Sequence, residues 1–159
     1  MLMGEFKCWG WDKKPRTMLR FIKPGDVFCF KLTDEKYGFG RIISKVSIGH
    51  SAEIFDVFSK EPEVPDDLLS NPHASSHPII LDAYSLFDKK ISGEWRIIGH
   101  QEGWQVKKFE NTYFVYGALG NRKKVDMYGN SEGVSDRDSE HYPPYMPSND
   151  MHVRNLLAT

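Results

Sequence analysis

The sequence has few cysteines, no long hydrophobic run and no excess of either charge. Its two cysteines, Cys8 and Cys29, are too few for a disulfide framework. No run approaches the roughly 18 apolar positions that a membrane-spanning helix needs, and the first residues lack the basic start and apolar core of a secretory signal. The formal net charge of -1 argues against a nucleic-acid-binding protein that acts through a global positive field. These absences predict a soluble cytoplasmic protein with free thiols.

The motifs of common enzyme classes are also missing. The sequence contains no G-x-S-x-G elbow, no H-E-x-x-H, no P-loop and no G-x-G-x-x-G that opens a helix. His73 and His77 would share one face of a helix, but prolines bound the segment and no third ligand accompanies them. Zinc needs three or four ligands. We therefore predict no catalytic residue, no metal site and no cofactor.

What the sequence does contain is enough apolar material for a hydrophobic core. The chain has 159 residues, of which 40% are hydrophobic and 13% are aromatic. A chain of this length buries about two thirds of the surface that its unfolded form exposes. Short strands at regular spacing indicate a curled sheet or a small barrel. We predict a single domain, residues 1–159, that is mainly β: an antiparallel curled sheet or a small, partly open barrel with a C-terminal helix.

Residues 21–43 are the stretch around which the fold is expected to be organised. Residues 23–26, Lys-Pro-Gly-Asp, are a turn signal. From Asp26 to Leu32 almost every residue is β-branched, aromatic or apolar, which predicts a strand buried on both faces. Residues 33–36 then form a hairpin loop, and Tyr37–Ile43 form the second strand.

Two glycines leave one face of that second strand without side chains. Gly38 and Gly40 stand at alternate positions, so both point to the same side of the sheet. A neighbouring aromatic ring or a barrel bend would explain this gap, and a ligand or a partner backbone is the alternative. In each case something is expected to pack closely against the strand.

Beyond this hairpin the sequence predicts further strands and one helix. Residues 53–58 fit a third antiparallel strand, and residues 59–78, with four prolines, fit a surface loop. The helix should span residues 149–158, with Ser148 as its cap. Its buried side should carry Met151, Val153, Leu156 and Leu157. The other candidate strands are the apolar run 79–87 and residues 94–99, 105–109, 113–117 and 123–128.

The large apolar residues of these strands are expected to meet in one core. That core should contain Phe28, Phe30, Phe39, Ile42, Phe55, Trp95 and Ile97. Trp9 and Trp11 lie two positions apart on a short extended segment and therefore share a side. We interpret this pair as a flap that seals one end of the core, and the alternative is an aromatic cage or stacking platform.

Five motifs in a fixed order connect the chain to a known family. They are KPGDVF (23–28), YGFGRI (37–42), EIFD (53–56), GEWRIIGH (93–100) and YPPY (142–145). Together they resemble the Immunity protein 26 family, small proteins encoded beside polymorphic toxins, including those of bacterial contact-dependent growth inhibition systems. None of the motifs is a catalytic signature. The motif positions are Gly25, Asp26, Phe28, Gly38, Gly40, Arg41, Asp56, Gly93, Trp95 and Gly99.

This resemblance implies a non-catalytic inhibitor that binds the C-terminal domain of a cognate toxin, without a cofactor and without contacting membrane or nucleic acid. A nuclease toxin would have a basic active site, which carboxylates and aromatic rings can occupy in place of nucleic acid. The candidate toxin-binding residues are Asp34, Glu35 and Tyr37 in the hairpin loop, and Asp136, Asp138, Glu140, Tyr142 and Tyr145 near the C terminus. Alternatively, both stretches are solvated loops, as we interpret a third acidic run at residues 60–67.

Two other functional classes fit parts of the sequence. A small barrel with an arginine and a nearby acid also resembles ribosome-independent messenger-RNA endonucleases, in which Arg41 and Glu35 would cleave the phosphodiester. The first strand, however, lacks the polar residues that those enzymes carry. The third class is an RNA-binding module that combines base stacking with a phosphate site. Its residues would be Trp9, Trp11, Lys13, Lys14 and Arg16.

Overall fold

The computed structural model describes residues 6–12, 21–66, 68, 77–87, 93–104 and 109–158. These residues are mainly β, as predicted. The strands are β1 (Phe6–Cys8), β2 (Asp26–Thr33), β3 (Lys36–Val46), β4 (Gly49–Ser59), β5 (Ile79–Leu81), β6 (Trp95–Gln101), β7 (Phe114–Tyr116), β8 (Lys123–Val125), β9 (Ser131–Gly133) and β10 (Pro147–Ser148). The helices are α1 (Ala83–Phe87), α2 (Asp136–Ser139) and α3 (Asp150–Ala158).

The described strands form two open sheets rather than a closed barrel. The larger sheet has seven strands in the order β1-β6-β2-β3-β4-β5-β10, and the smaller one has the order β7-β8-β9. Pairing in the larger sheet is antiparallel except between β10 and β5. No described helix is long and apolar enough to cross a membrane.

The central hairpin matches the prediction closely. β2 and β3 pair from Val27 opposite Arg41 to Thr33 opposite Lys36, with the turn at residues 34–35. A side chain added at Gly38 would overlap the ring of Phe30. One added at Gly40 would overlap the ring of Phe28. Neighbouring aromatic rings therefore fill the bare face of β3, which confirms the simpler explanation of the two glycines.

The prediction of one core was wrong, because the large sheet buries both of its faces. Successive residues of a strand point to opposite sides, so Phe28 and Phe30 lie on one face while Val27 and Cys29 lie on the other. The first face also buries Ile42, Trp95 and Ile97 with α1 and α3, and the second buries Phe39, Phe55, Ile98 and Leu68. A third cluster lies between the two sheets and contains Ile43, Val46, Ile80, Phe109, Phe114, Val125 and Met127.

Several predicted elements differ in the structure. The apolar run 79–87 divides into β5 and α1, because the chain turns at Asp82, whose carbonyl accepts the N–H of Leu86. The α3 cap is Asn149 instead of Ser148, since the Asn149 Oδ1 accepts the His152 N–H at 3.0 Å. Met151 is 61% exposed and does not lie on the buried side of α3. The sequence prediction missed β9, α2 and β10 entirely.

Some predictions fall on residues outside the described ranges. They concern Lys13, Lys14 and Arg16, His73, and the candidate strand 105–109 apart from Phe109. In the predicted surface loop 59–78, Leu68 is only 2% exposed and belongs to the second-face cluster. That loop therefore contributes to the core at this position.

Residues 143–148, here called the strap, join the two sheets. The Pro143 carbonyl accepts the N–H of Val115 at 2.9 Å, and Tyr145 donates its own N–H to the Val115 carbonyl at 2.7 Å. Two residues further on, β10 pairs with β5 at the edge of the large sheet. Prolines suit this position because an edge segment need not donate every backbone N–H.

Candidate functional site

One end of the large sheet brings together acidic residues that are separated in the sequence by two long strands. Tyr37 pairs with Ser59, so the turn at residues 34–35 lies beside the chain where it leaves β4. The Lys36 Nζ stands 4.3 Å from the centre of the Phe58 ring, which links the two segments directly. Glu61 and the rest of the acidic run follow at once in the chain.

We call this region the acidic end, and it has a net negative charge. It contains six carboxylates (Asp34, Glu35, Asp56, Glu61, Glu63 and Asp66) against three lysines (Lys31, Lys36 and Lys60), which gives a net charge of -3. Asp34 pairs with Lys31 at 3.1 Å, and this hydrogen bond raises the pKa of Lys31. Within the described part of the chain, the side chains of the other five carboxylates form no hydrogen bond or ion pair.

Aromatic rings border the acidic end. Phe58 is 37% exposed. Tyr37 is half-buried, and its ring meets Trp11 edge to face at 5.4 Å between centroids. Trp11 in turn covers the guanidinium of Arg96 at 4.0 Å, and burial lowers the pKa of Arg96.

The Trp9 indole donates to the Ile97 carbonyl at 2.9 Å. Both tryptophans thus pack on the sheet, as expected of a flap that seals the core.

The second predicted group of site residues extends from α2 to the strap. Asp136 is already used within the fold, since its carboxylate accepts the Gly120 N–H at 2.8 and 3.0 Å. Asp138 and Glu140 are exposed, and their carboxylates form no hydrogen bond or ion pair with described residues. Tyr142 packs against Tyr113, with ring centroids 5.6 Å apart.

Tyr145 is held more firmly than an adaptable surface residue would be. Its ring lies near those of Phe114 and Tyr116, at 6.3 and 5.8 Å between centroids. Its hydroxyl forms a hydrogen bond of 2.9 Å with Ser47 in the turn between β3 and β4. These contacts connect the strap to both sheets and give Tyr145 a structural role.

The structure does not bring the two predicted groups together. The acidic end lies at the start of β3, whereas Tyr145 contacts Ser47, just beyond the end of β3. β3 has 11 residues, so Tyr145 lies roughly 35 Å from the acidic end along the strand.

The proposed pairing of Arg41 with Glu35 is wrong. Glu35 precedes Arg41 by six positions, or roughly 20 Å along an extended strand. Arg41 instead donates to Glu53 from Nε at 3.1 Å and from Nη2 at 2.9 Å. The Arg41 Nη1 donates to Gln101, and the ring of Trp104 covers the guanidinium at 4.8 Å. This buried arginine is occupied inside the fold and cannot approach a phosphodiester.

A second buried polar pair lies at the same end of the sheet as Arg41. Asp26 is fully buried and forms a 2.8 Å hydrogen bond with the Nδ1 of His100. Its other oxygen accepts the N–H of Lys23, which closes the turn before β2. Gly25 in that turn has a φ of 92°, and a side chain added there would press against the Gln101 carbonyl, His100 and Trp104. The motif residues Gly25, Asp26 and Arg41 thus have structural roles.

Metal binding and thiol chemistry receive no support from the geometry. Over the described ranges, no group of three or more His, Cys, Asp or Glu side chains could hold a metal ion. His77 is exposed and its ring packs against Phe114. Burial raises the pKa of Cys29 strongly, so its thiolate is disfavoured at neutral pH.

Sequence reasoning missed the partners of the predicted site residues. Asp56, Phe58, Glu61, Glu63 and Asp66 complete the acidic end, and Glu53, Gln101 and His100 complete the buried polar pairs. The signal for the acidic end was present as the acidic run at residues 60–67. Pairing β3 with β4 through the turn at 47–48 would have placed that run beside residues 34–35.

Comparison with known proteins agrees with the order of motifs found in the sequence. The family model of Immunity protein 26 matches residues 23–126, which include the central hairpin, β4, β6, β7 and β8. The YPPY motif at 142–145 lies beyond the matched range. No curated protein and no solved structure matches the chain. Because the family match covers more than half of the sequence, the chain belongs to the Immunity protein 26 family, which indicates an immunity protein whose partner is a toxin protein.

Proposed function

We propose that the chain neutralises a nuclease toxin domain of a contact-dependent growth inhibition system or a related polymorphic toxin system. It acts in the cytoplasm as a single domain and blocks the C-terminal domain of its toxin without a cofactor. A nuclease holds phosphate with lysines and arginines, so carboxylates presented on a rigid frame can form charge-assisted hydrogen bonds to the same groups. Long-range attraction between opposite charges would also speed the encounter.

We place the toxin contact at the acidic end. The observation that carries this choice is the pairing of Tyr37 with Ser59 beside an exposed Phe58, which puts the turn at residues 34–35 next to the start of the acidic run. Five of the six carboxylates there are unpaired within the described chain and can therefore accept hydrogen bonds from a partner. At the other end, Asp136 and Tyr145 are already bonded within the fold.

The test measures the binding kinetics of the toxin domain encoded beside this chain's gene, together with protection of cells that express it. Neutralising a carboxylate that pairs with the toxin should weaken the binding free energy by about 2 to 5 kcal/mol, which is roughly 30-fold or more in affinity. We expect faster dissociation and weaker salt dependence for the acidic-end variant, with loss of protection. That variant is Asp34→Asn/Glu35→Gln/Glu61→Gln/Glu63→Gln.

Two further variants serve as comparisons. Asp138→Asn/Glu140→Gln neutralises the exposed carboxylates of the other predicted group, and Glu110→Gln neutralises an exposed carboxylate that belongs to neither. Both should bind as the parent does. Normal dissociation of the acidic-end variant, with faster dissociation of the Asp138/Glu140 variant, would move the interface to α2.

The RNA-binding alternative is less well supported. Trp9 and Trp11 pack on β6 through a hydrogen bond and a guanidinium contact, so neither ring is presented as an open stacking platform. A salt titration of the purified protein against mixed RNA should therefore show no binding at physiological ionic strength.

A further inference from the structure

His50 is a buried polar side chain that the toxin-binding function leaves unexplained. It is 5% exposed, and neither of its ring nitrogens has a hydrogen-bond partner among the described residues. Buried polar groups nearly always have such partners, so each exception calls for an explanation. By contrast, the buried side chains of Asp26 and His100 are hydrogen-bonded to each other.

The surroundings of His50 disfavour its charged form. Side chains alternate along β4, so His50 shares the first face of the sheet with Ala52 and Ile54. Burial has the largest effect and lowers the pKa of His50, and Lys45 on β3 lowers it further. Asp26 on β2 and the backbone carbonyl of Ile22 act in the opposite direction, but more weakly. The apolar Leu81 faces it from β5.

His50 also lies where the C-terminal part of the chain joins the large sheet. It pairs with Leu81 of β5, and Leu81 pairs in turn with Ser148 of β10. The Asp82 N–H donates to the Ser148 carbonyl at 2.9 Å, which adds a second bond across this edge. Gly49, next to His50, approaches so closely that an added Cβ would overlap the Leu81 carbonyl. His50 and Gly49 therefore lie directly against the backbone of β5.

We propose that His50 is an acid-sensitive latch that keeps β5 and β10 docked on β4 while its ring is neutral and releases this edge when the ring is protonated. An imidazolium at this position would be a buried cation beside Lys45, and the Ile22 carbonyl and Asp26 offset the cost of burying that charge only in part. The unfolded or opened state protonates at the ordinary histidine pKa, whereas the docked state resists protonation. The neutral His50 ring therefore contributes its full stabilisation of the docked edge above about pH 6.5, and this contribution is lost as the pH falls below that value.

The experiment follows hydrogen exchange of the Asp82 amide between pH 7.5 and pH 5, corrected for the intrinsic effect of pH on exchange. We expect the opening equilibrium at Asp82 to rise by up to about tenfold per pH unit below 6.5. The amide of Lys31, which donates to Glu94 at the far end of the sheet, should change much less.

Two variants separate the latch from general acid effects. His50→Leu should remove most of the pH dependence at Asp82, whereas His141→Gln, at an exposed histidine, should leave it unchanged. If His50→Leu does not fold, the ring signal of His50 in the parent is titrated by NMR instead. A midpoint at or above 6.5, or an unchanged pH dependence in His50→Leu, would overturn the proposal.

Discussion

At the scale of single residues, the fold depends on aromatic rings that pack against glycines. Phe30 lies over Gly38 and stacks on Trp95, with centroids 4.4 Å apart and planes 12° from parallel. The Trp95 indole also donates to Asp150 at 2.8 Å, which attaches α3 to the sheet. One tryptophan therefore connects β6, β2 and the C-terminal helix.

We expect Trp95→Ala to lower the free energy of unfolding by about 3 to 5 kcal/mol, because it leaves a cavity in the first-face cluster. Trp95→Phe should cost less, since it keeps a ring against Phe30 and loses the bond to Asp150. Tyr84→Ala removes a ring that is 74% exposed and should change stability by less than about 0.5 kcal/mol. Denaturant melts measure all three, and a loss below about 1 kcal/mol for Trp95→Ala would contradict this account.

At the scale of secondary-structure elements, the strap stabilises the edges of both sheets. It binds the backbone of Val115 in β7 and then, as β10, pairs in parallel with β5. Its Tyr145 packs on Phe114 and Tyr116 of the small sheet. The strap thus converts two separate sheets into one connected structure.

Tyr145 should be a stability residue more than a binding residue. Tyr145→Ala should cost about 2 kcal/mol of unfolding free energy, because a half-buried ring between the sheets is lost. Tyr145→Phe removes only the bond to Ser47 and should cost about 1 kcal/mol or less. Met146→Ala, at a side chain that is 61% exposed, is the matched control. A Tyr145→Ala variant with normal stability but weakened toxin binding would instead place this ring in the interface.

At the scale of the whole molecule, charges that belong to the scaffold are separated from charges that face solvent. Arg41 with Glu53 and Asp26 with His100 are paired inside the fold, while most carboxylates of the acidic end have no partner among the residues that the structure describes. The messenger-RNA endonuclease alternative would need Arg41 to reach substrate, whereas the Arg41 side chain is only 4% exposed. This distribution suits an inhibitor that binds through its surface.

Purified protein should therefore leave RNA intact under conditions in which its toxin partner is active. Arg41→Ala should reduce stability by about 3 to 5 kcal/mol, because it leaves Glu53 buried without its partner. Arg41→Met/Glu53→Leu should recover most of that loss, because a buried pair replaced by apolar residues of similar volume is often neutral. RNA cleavage by the parent that disappears in Arg41→Met/Glu53→Leu would instead support an enzyme.

Local sequence patterns predicted the structure correctly where residues that are close in the chain are also close in space. The turn before Asp26, the hairpin at residues 34–35 and the glycines of β3 were predicted correctly, because turn chemistry and strand alternation act over a few residues. The Ser148 cap was misplaced by one position because Ser and Asn cap helices comparably well. The run 79–87 was misread because short apolar segments fit a strand or a buried helix equally.

The sequence by itself determined the β class, the central hairpin and the family, since these depend on composition and on the order of motifs along the chain. Only the tertiary structure decided which face each aromatic residue occupies, which partner Arg41 takes and which acidic runs meet. The physical reason is that strand pairing and its irregularities bring together residues far apart in the chain. The β3–β4 register places Ser59, where the acidic run begins, beside Tyr37 and the turn at residues 34–35, and it places Arg41 opposite Glu53.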